Sequence, residues 1–171
     1  GQKAVLLGVR DGDKVSYYMD GTLVSETSIQ ALEQLAAEKA AAAMWASDKA
    51  SKWAGMELIE VDEGRARIEL TVEKHHCNGH GICHGGVTFM LADSCFAFAC
   101  NSRNQSTVAQ SNSITFTAPG RLGDRLIAKA EEVSLTGRSG IYDVTVENQD
   151  GQLVAAFRGL SRAIKGQLFE E

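Results

Sequence analysis

The sequence predicts an α+β fold in which an antiparallel sheet curls around one long buried helix. Three observations predict it. Residues 86–101 read as a helix whose apolar side chains surround the whole circumference, and such a helix must be covered on every side. Four strand-like runs follow it, at 107–117, 125–135, 140–148 and 153–164, with Pro119-Gly120, Gly137 and Asp150-Gly151 as turns. A shorter pair of runs, 56–61 and 65–72, precedes it and is hinged at Asp62-Glu63-Gly64. Strands joined by short turns pair antiparallel, and wrapping them about the helix buries both.

The earlier part of the chain is less regular. Runs at 4–9 and 14–19 flank Arg10-Asp11-Gly12-Asp13, which suggests a short hairpin or an irregular extension over residues 1–26. From Thr27 the pattern turns helical. Thr27 and Gln30 have capping-box spacing, Ile29, Leu32, Ala36, Ala40 and Ala43 recur at helical intervals, and the helix is expected to end near Gly55. No internal repeat or linker interrupts residues 27–171, which read as a single domain.

Composition narrows the function classes. With 44% hydrophobic and 23% charged residues and one proline in 171, the chain can bury a core without staples. A net charge of -5 without a basic run argues against general affinity for nucleic acid or anionic lipid, so an anionic ligand needs a local basic patch. The first ten residues lack the cationic flank of a secretory signal, which reads as cytoplasmic. The most apolar stretch, 87–100, is interrupted by Asp93 and too short to span a bilayer, so no membrane partner is expected. In that compartment the four cysteines are expected to be reduced core residues or ligands.

The candidate chemistry surrounds the buried helix. Asn78-Gly79-His80-Gly81-Ile82-Cys83-His84-Gly85-Gly86 stands directly before it. The first N–H groups of a helix have no internal acceptor and lie at the positive end of its dipole, where they stabilise an oxygen gaining negative charge. The same glycines also suit a plain tight turn. Asp93 adds weight to the functional reading, being the one carboxylate between Val87 and Cys100, where burial raises basicity. Eight residues of helix separate Gly85 from Asp93, about 12 Å, so one substrate atom cannot touch both within a chain. If both act, two chains share the site, with the helices antiparallel about a two-fold axis. Ala92, Ala97 and Ala99 are small enough for such an approach.

Two other constellations compete. Cys77, His80 and Cys83 are spaced by two residues each, with His75, His76 and His84 nearby, so zinc is conceivable. The spacing matches neither a finger nor a ribbon and no second cysteine pair follows, so no metal is expected. A serine or cysteine hydrolase lacks its motif, and every histidine lies between His75 and His84.

These residues resemble the phenylacetic acid degradation thioesterases of the hotdog superfamily. Asn78-Gly79-His80, Cys83-His84-Gly85-Gly86, Phe89, Leu91-Ala92-Asp93, Phe96-Ala97 and Ala99-Cys100-Asn101-Ser102 carry the likeness. Phe116, Pro119-Gly120, Gly140, Tyr142-Asp143 and Phe157-Arg158-Gly159 extend it across roughly 38–164. The resemblance implies a hotdog fold, dimers paired into tetramers, no cofactor, and hydrolysis of aryl-acyl-CoA such as phenylacetyl-CoA or hydroxyphenylacetyl-CoA. Carried over by position, the Gly85 N–H polarises the thioester carbonyl. Asp93 of the other subunit acts as nucleophile or general base, and Asn78 and His84 position substrate or water. Gly86 and Arg138 are the candidate substrate-binding residues, Arg138 being favoured over Arg121 and Arg125 for the coenzyme's phosphates. Cys95 and Phe98 depart from the usual alanine and tyrosine and are expected to narrow or dry the acyl pocket.

Two readings from other classes stay open. Hotdog dehydratases and hydratases pair a histidine with an acid, which His84 and Asp93 could mimic. A non-catalytic acyl-CoA sensor would bind ligand and shift assembly.

Overall fold

The computed structural model describes residues 5–170. The N-terminal run is a three-stranded antiparallel meander of β1 (Leu6–Asp11), β2 (Lys14–Met19) and β3 (Thr22–Ser28), where the sequence suggested a hairpin or irregular chain. Ala4, the start of the first expected run, lies outside the described residues. The third strand escapes a period-two reading because Ser25-Glu26-Thr27-Ser28 is polar at every position.

Helix α1 (Ile29–Ser47) starts one residue later than its capping-box spacing suggests, because the Ser28 side chain, not that of Thr27, accepts from Ala31 N. It also stops short of Gly55. Asp48 leaves helical geometry and its carboxylate accepts from Ser51 N, which caps a separate short helix, α2 (Lys49–Trp53).

The main sheet contains β4 (Met56–Asp62), β5 (Arg65–Thr71), β6 (Thr107–Phe116), β7 (Arg125–Thr136), β8 (Ser139–Glu147) and β9 (Leu153–Ala163). Its order is β4-β5-β7-β8-β9-β6, with every pairing antiparallel. Strand β6 therefore crosses to the far side and becomes an edge, paired among the described residues only with β9. The central helix α3 (Gly85–Cys100) lies on the inner face.

The helix sits close to the sheet. A Cβ at Gly159 would stand 2.8 Å from the Phe96 ring, so only glycine admits that contact. Phe96 also packs on Tyr142 and Phe157, with centroids 5.6 and 5.9 Å away. Cys95 is fully buried, its thiol donating to the carbonyls of Ala66 and Ala128 at 3.2 and 3.4 Å. Phe98 is buried against Trp45 of α1, 6.0 Å between centroids. Both face the core, so neither narrows an acyl pocket as expected. Ala92 and Ala99 are likewise buried within this protomer, which leaves Ala97 as the half-exposed alanine.

Side-chain hydrogen bonds fix the C-terminal end of α3. The Asn101 amide donates to Ala97 O and Thr107 O, both at 2.9 Å, and its oxygen accepts from Thr107 N. Ser102 Oγ donates to Ala99 O and accepts from Gly64 N. Just beyond, Arg103 bridges Glu63 and Glu132, and Tyr142 donates to Glu132.

Candidate active site

The other end of α3 is built by the loop after β5. The His76 ring accepts from Glu73 N, fixing the loop's entry, and two backbone bonds, Asn78 N to Ile82 O and His84 N to His76 O, both 2.8 Å, make residues 76–84 a small ribbon. Its tip turns at Gly81, whose φ of +72° favours glycine. The ribbon is held to the β6–β7 connection by Cys83 N donating to Gly120 O.

His84 is the N-cap of α3. Its Nδ1 accepts from Gly86 N at 2.8 Å, an arrangement that leaves Nε2 as the ring's donor position. This bond also commits the Gly86 N–H, so Gly86 has no free donor for a substrate. The Gly85 N–H finds no acceptor among the described residues. A Cβ on Gly85 would come within 3.1 Å of the Phe116 ring, so the bare backbone is what lets that ring lie over the helix start. Asn78 uses its side-chain oxygen on His80 N, leaving its amide hydrogens unpaired among the described residues. Asn78, Gly85, Thr88 and Phe116, with Pro119 and Val154, line one cleft of about 420 Å³, within the usual range for a small-molecule site.

Asp93 is not in that cleft. It is half-buried, two turns further along α3, with Oδ1 accepting from Asn112 Nδ2 of β6 at 2.7 Å. Burial raises its pKa above the ordinary aspartate value, and the Asn112 hydrogen bond opposes that rise. Within one chain the structure therefore brings Asn78 and Gly85 together and keeps Asp93 apart. Gly86, Met90, Asp93 and Ala97 recur about one turn apart, and none of the four is fully buried by this protomer.

The thioesterase superfamily profile matches residues 80–155. Acyl-coenzyme A thioesterase PaaI of Escherichia coli (strain K12) is 42% identical over 129 residues, 75% of this chain and 92% of that protein. The chain belongs to the thioesterase superfamily. The solved structure of E. coli PaaI, a protein of the phenylacetic acid degradation operon, superposes with a TM-score of 0.77 at 41% identity, covering 78% of this chain and 97% of that one. A Streptococcus mutans protein solved with acetyl-CoA bound has a TM-score of 0.63 at 26% identity, covering 66% and 90%. The fold of this thioesterase is thus the hotdog fold that its sequence pattern resembles.

The thioesterase's arginines are distributed differently from the expectation. Arg138 is in the β7–β8 turn, donating to Ala163 O at the end of the sheet beside the α3 C-terminus, so one chain does not bring it to Gly85. Arg125 is paired with the buried Glu69, which also holds Arg67. Arg121 is exposed and bridges backbone to backbone with Ile82, which places it beside the Gly85 cleft. Sequence reasoning missed Asn112. Its signal was a polar residue amid β6, but nothing in the sequence says which β6 residues face the helix. Among the described residues no group of three or more His, Cys, Asp or Glu converges as a metal site.

Proposed function

We propose that this protein hydrolyses aryl-acyl-CoA thioesters, such as phenylacetyl-CoA or its hydroxylated forms, to the free acid and CoA, as a cytoplasmic homodimer whose sites are shared. The observation that carries the reading is the Gly85 N–H, unpaired among the described residues and opening with the Asn78 amide into a cleft at the start of a buried helix. In this reading both donate to the thioester oxygen as it gains charge, a contribution of roughly 10²–10³ in rate for one such donor. His84 presents Nε2–H to substrate or water. The acid comes from the second copy: Asp93, made more basic by burial, attacks the carbon or takes a proton from water.

The dimer is supported by β6. It is an open edge, with Val108 and Phe116 exposed, and an unpaired edge is a ready template for another strand. Antiparallel pairing of two β6 edges sets the two α3 helices antiparallel and brings each Asp93 toward the other chain's Gly85. The same operation carries Arg138 of the second copy to the end of the sheet where Gly85 lies, which keeps it, with Arg121, as a candidate for the coenzyme's phosphates. Pairing of dimers into tetramers belongs to the same proposal. The aryl preference rests on the likeness to PaaI, and CoA recognition on the likeness to the acetyl-CoA-bound S. mutans protein. Four unpaired thiols suit a reducing compartment.

The shared site is tested by mixing two inactive variants, Asp93→Ala and Gly85→Pro. Random exchange makes about half the dimers mixed, each with one rebuilt site, so activity should return to roughly a quarter of wild type. Native mass spectrometry confirms that mixed dimers formed. Mixed dimers as inactive as their parents would defeat the shared site. A thiol-release screen over aryl and linear acyl-CoAs tests the substrate, and activity confined to long linear chains would defeat the aryl assignment.

A further inference from the structure

Cys77 and Cys83 face one another across the ribbon that carries Asn78. They are antiparallel bridge partners. The hydrogen bonds that define the bridge, Asn78 N to Ile82 O and His84 N to His76 O, flank the pair and do not join it. That is the non-hydrogen-bonded register, in which Cα atoms stand about 4.5 Å apart and side chains project to the same face. A disulfide accepts Cα separations of about 4.4–6.8 Å, so a bond between these sulfurs needs side-chain rotation and little backbone movement. At present each thiol points to a carbonyl, Cys77 to Glu73 O and Cys83 to His84 O.

We propose that Cys77 and Cys83 are a reversible dithiol–disulfide pair, oxidised by hydroperoxides, whose closure lowers turnover at the adjoining cleft. Cys77 is the more exposed of the two and takes the oxidant. Its thiolate sulfur attacks hydrogen peroxide, the O–O bond breaks, and hydroxide leaves, to be protonated to water. The Cys83 thiol then attacks the Cys77 sulfenic sulfur, its proton leaving with the displaced oxygen as a second water. Two thiols are oxidised by two electrons and one peroxide is reduced to two waters. The other cysteines are poor competitors, since burial pushes the thiols of Cys95 and Cys100 up to about 12.

Closure reaches the cleft from both sides. Asn78 follows Cys77 directly, and Cys83 accepts a hydrogen bond from Thr88 Oγ1 in the first turn of α3. To bond Cys77, the Cys83 sulfur must leave Thr88, and Asn78, Cys83 and Thr88 all line the cleft.

The test treats fully reduced wild-type protein and Cys77→Ser with hydrogen peroxide, then with dithiothreitol. Digestion after Lys74 and Phe89 gives peptide 75–89, which contains Cys77 and Cys83 and no other cysteine. In the wild type this peptide should become lighter by the two thiol hydrogens while acyl-CoA hydrolysis falls several-fold, and dithiothreitol should reverse both. Cys77→Ser should match wild type before treatment and keep its activity after it. The proposal is overturned by a cross-link to Cys95 or Cys100, by oxidation that stops without a link, by a link that leaves turnover unchanged, or by equal inactivation of Cys77→Ser. The activity arm rests on the thioesterase reading and the mass arm does not. Reduced wild type inactive on every acyl-CoA would count against that reading, while the mass change still decides the pair.

Discussion

The two ends of α3 are the same helix in opposite conditions. At Cys100 the carbonyls and the following turn are satisfied by Asn101 and Ser102, and Arg103 adds ion pairs to two strands. At Gly85 a cleft opens, one N–H has no acceptor among the described residues, and the neighbouring amide of Asn78 is half-committed. Buried polar groups are nearly always paired, so a helix that spends side chains on one end and leaves donors at the other separates anchoring from chemistry. The anchored end fixes where the open end points.

Four changes sharpen or break this contrast, from the largest expected effect to the smallest. Asp93→Asn keeps the side chain's shape but removes its basicity, and should lower kcat by roughly 10²–10⁴ in steady-state assays while substrate binding persists. The same change should raise Tm at neutral pH. A carboxyl whose folded pKa lies above its unfolded value loses stability as pH climbs from the ordinary aspartate range through the raised value, and the amide escapes that loss. Near-normal turnover would leave Asp93 a structural residue.

At the anchored end, Asn101→Ala removes four hydrogen bonds in a buried place and should cost about 1–3 kcal/mol in urea unfolding. Turnover per folded molecule should hardly change, and a large loss of kcat would dissolve the division between the two ends. Gly85→Ala retains the N–H but drives Cβ against Phe116, and a fall of about tenfold in kcat/KM, ~1.4 kcal/mol, is expected. Adding Phe116→Ala should restore part of it; no rescue would mean that the ring is not what the glycine accommodates. Smallest is Asn112→Ala. Without its donor the Asp93 carboxylate is less stabilised, so the acid limb of the pH–rate profile should move to higher pH. A shift to lower pH would contradict the assignment of that limb to Asp93.

Much of this was legible in the residues. Apolarity around the full circumference of α3 marks a buried helix, and the glycine pair before it with a lone carboxylate within it marks where to look. Helical rise alone separates Gly85 from Asp93. The azimuth of α3 was not legible, for the same reason that the helix was: a segment apolar all round does not say which side meets the sheet. Cys95 and Phe98 therefore face strands and α1, not the pocket that the sequence suggests. The distance of Arg138 from Gly85 within one chain was not legible either, because its place depends on strand order, and β6 crossing to the far edge is a long-range outcome. Asn112 was invisible on both counts, a strand residue whose partner is a helix face.

That crossing also orders events during synthesis. Strand β6 leaves the ribosome directly after α3, yet its neighbour in the sheet, β9, follows only after β7 and β8 have been made. Until then β6 has no ladder to join, and the flank of α3 that holds Asp93 against Asn112 is unsupported. Hairpin by hairpin, β7, β8 and β9 can assemble from local contacts, and β6 is then captured by a long loop closure, the slower kind of step. A nascent chain halted before β9 would carry the acid but lack Val154 of the cleft and the strand that anchors β6, so the ability to do chemistry arrives with the last strand.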